Sequence, residues 1–382
     1  DNSVQGIFSG GVASATTLAG GAGQYVSSGG VADGTAVSSG GTQFLSGGTA
    51  TNTTVSGGGI QSIYSGGVAT ATIIGSAGVE QVYAGGRASG TTVEGGGNVY
   101  VNRAGVAVGT IVSSGGAQSI SSGGSASATI VFSSGTEYVN SGGLASGTTL
   151  SGGNEFVWTG GSALATQVEA GAQFLMGGSA TSATVFSGGA QYIFSGSVAS
   201  ATTVSSGGNQ YVSSGASTIG TVVSGGGETV LAGGAALGTT VGSGGAYLLG
   251  GATSGTTVLS GGNEYVYSGG VASATTVGSG GNEYVSSGLA IGTTVTSGGY
   301  QNVFSGGVAT AASLATGAQQ NVWAGGSVSG TTLSGGQQFL FGGTATATTV
   351  SAGGAQYISS GAVASATTVG SGGNEYVSSG LA

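Results

Sequence analysis

Aliphatic residues recur along this chain in two columns that are filled in every copy of a unit of about 19 residues, seen most cleanly as SGGVASATTVGSGGNEYVS at Ser268 to Ser286. The first column runs Leu18, Val37, Val55, Ile74, Val93 and on to Val350 and Val369, and is aliphatic in 20 of 20 units. The second runs Val26, Leu45, Ile63, Val82, Val101 and on to Ile358 and Val377, again in 20 of 20. A third, beginning Ala13, Ala32, Ala50, Ala69, is alanine in 17 units, with Thr218, Thr253 and Val328 as exceptions. Self-similarity at so short a period marks a solenoid in which each unit is one rung. Between the columns lie two glycine-rich corners and one bend at small-residue pairs such as Ser14-Ala15 and Ser89-Gly90, where a sharp turn without proline calls for positive φ. Glycine density and the Thr-Thr-Val runs disfavour helix. The pattern predicts an all-β chain, a single-stranded parallel β-helix of about 20 rungs of 17–19 residues with three short strands per rung; a stack of β-hairpins is the alternative.

Two residues before the first column stands threonine in 18 of 20 units, for example Thr16, Thr35, Thr53 and Thr72. Strand alternation turns a residue two back from an inward valine inward as well. The expectation is an internal threonine ladder hydrogen-bonded from rung to rung, in preference to an exposed ice-binding or ligand-binding array. Ordering one rung costs more than its two aliphatic side chains return, so no unit folds alone and stability is shared between neighbours. Stacked at about 4.8 Å, the rungs would make a rod on the order of 95 Å long. Shorter units lose a residue in the turn after the first column, as at Glu169 to Ala172 against Ser56 to Ile60, where a loop tolerates deletion.

The positions flanking the second column should face outward. The one before it is aromatic in 14 units and the one after it in eight, and together they hold 22 of the 26 aromatic residues. They compensate: where the first is Ser62, Gln81, Asn302 or Asn321, the second is Tyr64, Tyr83, Phe304 or Trp323. Such a strip is either a contact surface for sugar or another rod, or a stack of rings that shields the ladder. Its candidate binding residues are Tyr64, Tyr83, Tyr100, Tyr138, Phe156, Trp158, Tyr192, Phe194, Tyr265, Tyr267, Phe304, Trp323, Phe339 and Phe341.

Two residues before the second column comes Gln in 11 units and Glu in seven, with Val99 and Ala246 as exceptions. Strict alternation would turn this column inward, but seven buried glutamates would be costly, so it is expected at a solvated corner. Glu137 with Glu155 and Glu264 with Glu283 fall on adjacent rungs, the arrangement that could serve as acid and base in glycoside hydrolysis. Their neighbours are Gln in the same column, which favours a hydrogen-bonded ladder over catalysis.

Composition narrows the field further. With no histidine and no lysine, the abundant serine has no familiar base to activate it. Asp1 and Asp33 are the only aspartates, which excludes a calcium-binding nonapeptide roll, and no Gly-Lys-Ser/Thr completes a phosphate loop. No catalytic residue, metal ligand or cofactor site is expected. Arg87 and Arg103 cannot form a phosphate-binding stripe, so nucleic acid is excluded as a partner. No run of 18 apolar residues would span a membrane as a helix. There is no cysteine to form disulfides, and 90 glycines without a Gly-X-Y period exclude collagen. Residues 1–382 read as one continuous repeat domain; starting at Asp1 and stopping at Ala382 within a unit, without polar caps, it is expected to be a piece of a longer chain. Residues 271–290 and 363–382 are identical, as recent duplication of a unit would leave them.

The unit x-G-G-x-A-x-x-T-x-V, a glycine-rich turn, then Q/E-x-V, as in Ser65 to Val82 and Ser268 to Val285, resembles the repeat of AIDA-type self-associating autotransporter adhesins over essentially the whole chain. The resemblance implies a right-handed parallel β-helical passenger on the bacterial cell surface, exported through an outer-membrane β-barrel translocator that these residues do not include. It implies autoaggregation, biofilm formation and attachment to host cells or surface glycans. It also implies O-glycosylation with heptose by a glycosyltransferase, for which Ser9, Ser28 and Ser65 in the Ser-Gly-Gly corners are candidates. The competing reading is a passive spacer or filament that projects a tip domain.

Overall fold

The rung that ends at Val82 shows how this sequence builds one turn of the coil. In the computed structural model, which describes residues 3–113 and 115–382, Val68–Thr70, Ile73–Ile74 and Val79–Val82 are its three strands. Between the first two, Ala71 is left-handed at φ 54°, in the bend where small-residue pairs were expected. Each strand pairs in parallel with its counterpart one unit on, so that Ala69 lies against Ala88, Ile74 against Val93 and Val82 against Val101. Backbone groups are satisfied between rungs: Ile73 N–H donates to the Thr53 carbonyl and Gly75 N–H to that of Val55, both at 2.8 Å. This parallel pairing replaces the hairpin alternative, whose strands would be antiparallel.

The chain forms two units, residues 1–192 with 196–198, and residues 193–195 with 199–382. Each is a parallel β-solenoid, the two contain about 20 turns between them, and the described residues include no helix. In the first unit Leu45, Ile63, Ile74, Ile120, Leu150 and Leu175 are fully buried; in the second Leu248, Leu314, Leu333, Leu340 and Ile358 are. The second unit has two distinct apolar strips. One joins the alanine column to the second aliphatic column, as Val266, Ala272, Val285, Ala290 and Val303, and the other carries the first column, as Val277, Val295, Leu314, Leu333 and Val350.

Adjacent glycines at one corner serve different needs. Gly123 is left-handed at φ 85°, whereas a Cβ on Gly124 would run into the carbonyl oxygen of Val101 in the rung before. The first glycine answers a backbone conformation and the second a close approach.

Three expectations change. The Gln/Glu column is not at a solvated corner: from Gln24 to Gln356 its polar members have no exposed surface, because strand alternation holds through it. The threonine column is buried as expected, at about 1% exposure, which removes the ice-binding reading, but its hydroxyls donate to Gln and Glu rather than to one another. At four of the five shortened turns the chain does not keep two short strands around a loop; at the fifth, Thr332–Ser334 and Gln337–Phe341 stay separate. Thr149–Trp158 and Gln167–Met176 in the first unit, and Val222–Leu231 and Thr240–Leu249 in the second, are single ten-residue strands. At those four the lost residue leaves no room for the tight turn, so the corner opens into an irregular stretch, as between Ser151 and Asn154, with regular pairing on both sides.

Candidate functional site

The outward positions beside the second column bring their rings together one rung after another. In the first unit Tyr25, Phe44, Tyr64 and Tyr83 stack with centroids 4.8, 6.5 and 5.0 Å apart. Tyr138, Phe156, Phe174 and Tyr192 form a second run at 5.6, 4.8 and 5.2 Å, with Trp158 6.5 Å from Phe156. In the second unit the run is longer: Tyr247, Tyr265, Tyr284, Phe304, Trp323, Phe341, Phe339, Tyr357 and Tyr376 follow one another at 4.7 to 6.4 Å. Tyr267 lies 6.0 Å from Tyr265 beside it. The compensation seen in the sequence therefore has a geometric result. At Asn302 and Asn321 the stack crosses to Phe304 and Trp323 on the other side of the column, returning from Phe341 to Phe339 without a break.

Stacking does not cover these rings. Tyr64 keeps 39% of its surface exposed, Trp158 and Trp323 40% each and Tyr376 51%. Tyr100 is similarly exposed, but among the described residues no ring stacks on it. Phe194 is exposed as well. Ser9, Ser28 and Ser65 stand exposed in the corners expected for them.

Inside each unit runs a polar seam that sequence reasoning had placed outside. Gln43 Nε2 donates to Gln24 Oε1, and Gln61 Nε2 to Gln43 Oε1, both at 2.7 Å. The remaining acceptor capacity goes to threonine: Thr35 donates to Gln24 at 3.2 Å and Thr72 to Gln61 at 3.1 Å. The second unit repeats this in Gln356 to Gln338 at 2.7 Å and Gln338 to Gln320 at 2.6 Å. Each of these glutamines both donates and accepts, so these amide runs continue from rung to rung; Gln118 donates to Glu137 and Thr129, but its Oε1 receives no donor among the described residues.

Burial shifts the glutamates of this seam from Glu80 to Glu283 toward the neutral form. Burial pushes the Glu80 carboxyl from 4.5 to about 7, opposed by hydrogen bonds from Thr91 and Thr72. Thr91 reaches Oε2 at 3.0 Å, whereas Oε1 receives no donor among the described residues. Burial also raises Glu137, Glu228 and Glu264. Glu155 and Glu283 are raised first by burial and then by the neighbouring charge of Glu137 and Glu264. Gln118 donates to Glu137 Oε1 and Thr148 to its Oε2, both at 2.8 Å, while Glu155 Oε1 has no donor. A protonated Glu155 supplies that missing hydrogen itself, directed to Glu137. With no exposed surface, neither pair can meet a glycosidic oxygen, and the acid–base reading of these carboxyls falls with their burial.

The two threonine exceptions in the alanine column belong to this seam, a role that sequence reasoning missed, whereas Val328 joins the apolar strip. Thr218 donates to Glu228 Oε1 and Thr253 to Glu264 Oε1, each at 2.8 Å, while Thr239 and Thr275 take the other oxygens at the same distance. The available signal was their position, ten and eleven residues before a glutamate.

A family described as the adhesin of the bacterial autotransporter system, probable stalk, matches residues 100–154. No curated protein matches the chain in sequence. Among solved structures, the TibC-catalysed, hyperglycosylated fragment 55–350 of TibA is 37% identical; the match covers 82% of this chain and 97% of that one, with a TM-score of 0.43. The Agl-KA catalytic domain is 9% identical, covering 93% and 62%, and the receptor-binding domain of the siphovirus 9NA tailspike is 8% identical, covering 100% and 72%. Both of these have a TM-score of 0.15 and carry no argument. Repeat and identity to TibA together define a stalk-type β-solenoid of a bacterial autotransporter adhesin. The chain belongs to the AIDA family of these passengers, proteins of the cell surface or extracellular space.

Proposed function

We propose that the solenoids of this passenger associate side by side with one another, producing autoaggregation, biofilm formation and attachment to host cells or other surfaces. The observation that carries the reading is the aromatic run from Tyr247 to Tyr376, whose stacked rings keep an open outer face. Exposed aromatic area of this extent favours contact with another surface. A second copy offers the same periodic face, so many weak ring contacts can form at once, and their combined strength grows with the number engaged. The formal net charge of −9 includes six buried glutamates that burial shifts toward the neutral form, so repulsion between copies is weak and association is expected to depend little on salt.

On this reading residues 1–382 act as one continuous stalk, held at the outer membrane through a translocator outside the chain. The glycosylation of TibA by TibC supports a further part of it, with exposed corner hydroxyls such as Ser9, Ser28 and Ser65 accepting sugar from a comparable glycosyltransferase. Intact mass after co-expression with such an enzyme reads this directly; an unmodified chain removes that part. Sedimentation velocity over a concentration series tests the association. Replacing Tyr265, Trp323 and Phe341 with serine is expected to weaken association at least ~10-fold with circular dichroism unchanged. Association equal to that of the parent chain would overturn the reading.

A further inference from the structure

We propose that a groove beside Tyr64 and Tyr83 binds a sugar that carries a carboxylate, with Arg103 as its charge partner. The groove measures about 500 Å³ and is lined by Tyr64, Ser65, Tyr83, Ala84 and Arg103. One side of it is a short ring stack, Tyr64 on Tyr83, with centroids 5.0 Å apart and planes 9° apart. They end the run that starts at Tyr25: in the next rung Asn102 takes the ring position, and no ring covers Tyr83 from that side. The C–H face of a pyranose packs on such an aromatic face, and its hydroxyls find a partner in Ser65 when that hydroxyl is unmodified. Tyr83 is also held in place, since its hydroxyl donates to Gln81 Oε1 at 2.7 Å, so little freedom is lost when a ligand binds.

Arg103 supplies the selectivity. It is one of two basic residues in a chain of net charge −9, and it is exposed at the corner position that holds Ser65 and Ala84 in the preceding rungs. Among the described residues no carboxylate pairs with it. Arg103 and Ala104 are left-handed at φ 51° and 62°, the one place among the described residues where two consecutive non-glycine residues take this conformation. L residues adopt it at a cost. A free guanidinium beside an aromatic platform matches a carboxylate through two parallel hydrogen bonds. Sialic acids and uronic acids both meet that description.

The test is an NMR titration of the full chain with 3′-sialyllactose, digalacturonate and lactose. At least one acidic sugar should bind ~10-fold or more tighter than lactose. Arg103→Gln should abolish that difference, Arg103→Lys should retain part of it, and Tyr83→Ser should weaken acidic and neutral sugars alike. Arg87→Gln, at the other arginine, should leave binding unchanged. Equal binding of acidic and neutral sugars, no binding of either acid, or an Arg103→Gln chain that still discriminates would overturn the proposal. Self-association measured on Arg103→Gln should match the parent, which separates this site from the aromatic contact proposed above.

Discussion

Glu80 makes the buried seam measurable through pH. Its carboxyl is raised from 4.5 to about 7 by burial, and its neighbours along the seam are Gln61 and Val99, with Thr72 and Thr91 beside it. No other charged group faces it from these elements. The folded chain therefore binds the proton more tightly than the unfolded chain. Stability from this group is fully present below pH 4.5 and is lost as pH rises through about 7. A shift of about 2.5 pH units at ~1.4 kcal/mol each is worth between about 3 and 4 kcal/mol, on the order of 300-fold in the local opening equilibrium over the whole titration. Because a solenoid opens by neighbouring rungs, amide hydrogen exchange across residues 60–101 is the appropriate readout. Corrected for intrinsic exchange chemistry, protection there should fall on the order of 70-fold between pH 5 and pH 8, since part of the effect is already lost at pH 5. Glu80→Gln should remove most of the fall without loss of protection at pH 5, since glutamine occupies this position in 11 units. Protection that rises with pH, or a Glu80→Gln chain with the parent's pH dependence, would refute the neutral-carboxyl account.

Two further substitutions probe the same construction. Ala69→Thr copies the arrangement of Thr253 with Glu264 at a position eleven residues before Glu80, so it should supply the donor that Glu80 Oε1 lacks. The Glu80 carboxyl should then titrate nearer 4.5 and the pH dependence over residues 60–101 should shrink; an unchanged titration by carbon-detected NMR would count against the assignment. Gly124→Ala should destabilise its rung by about 1–3 kcal/mol because the new methyl meets the Val101 carbonyl. At Gly90, left-handed at φ 65° with open space around it, alanine should cost only about 1 kcal/mol, as Ala71 occupies the matching bend. Equal losses in urea denaturation would contradict the close-approach explanation.

The columns, the parallel register and the bends were legible because each follows from side-chain alternation and backbone conformation within a single unit. The seam was misplaced for a different reason. Alternation correctly pointed Glu80, Glu137 and Glu155 inward, but the cost assigned to burying them assumed charged carboxylates. Protonation removes most of that cost, and threonines from the following rung satisfy part of what remains, as Thr91 does for Glu80 and Thr148 for Glu137. Those partners lie eleven residues away and become neighbours only once the coil is closed. The stacking of Phe304 on Trp323 was open to the same reading between rungs, yet no property of the unit distinguishes a ring that only stacks from one that also binds. In the second unit the seam also accounts for the register. A slip of two residues would keep Gln320 on the inner face but set it against Val303 and leave its amide without Gln301 or Gln338. Aliphatic columns alone tolerate such exchanges, since valine, isoleucine and leucine already replace one another along them. The hydrogen-bonded column does not, and a chain with 90 glycines and few charges depends on it for a single pairing.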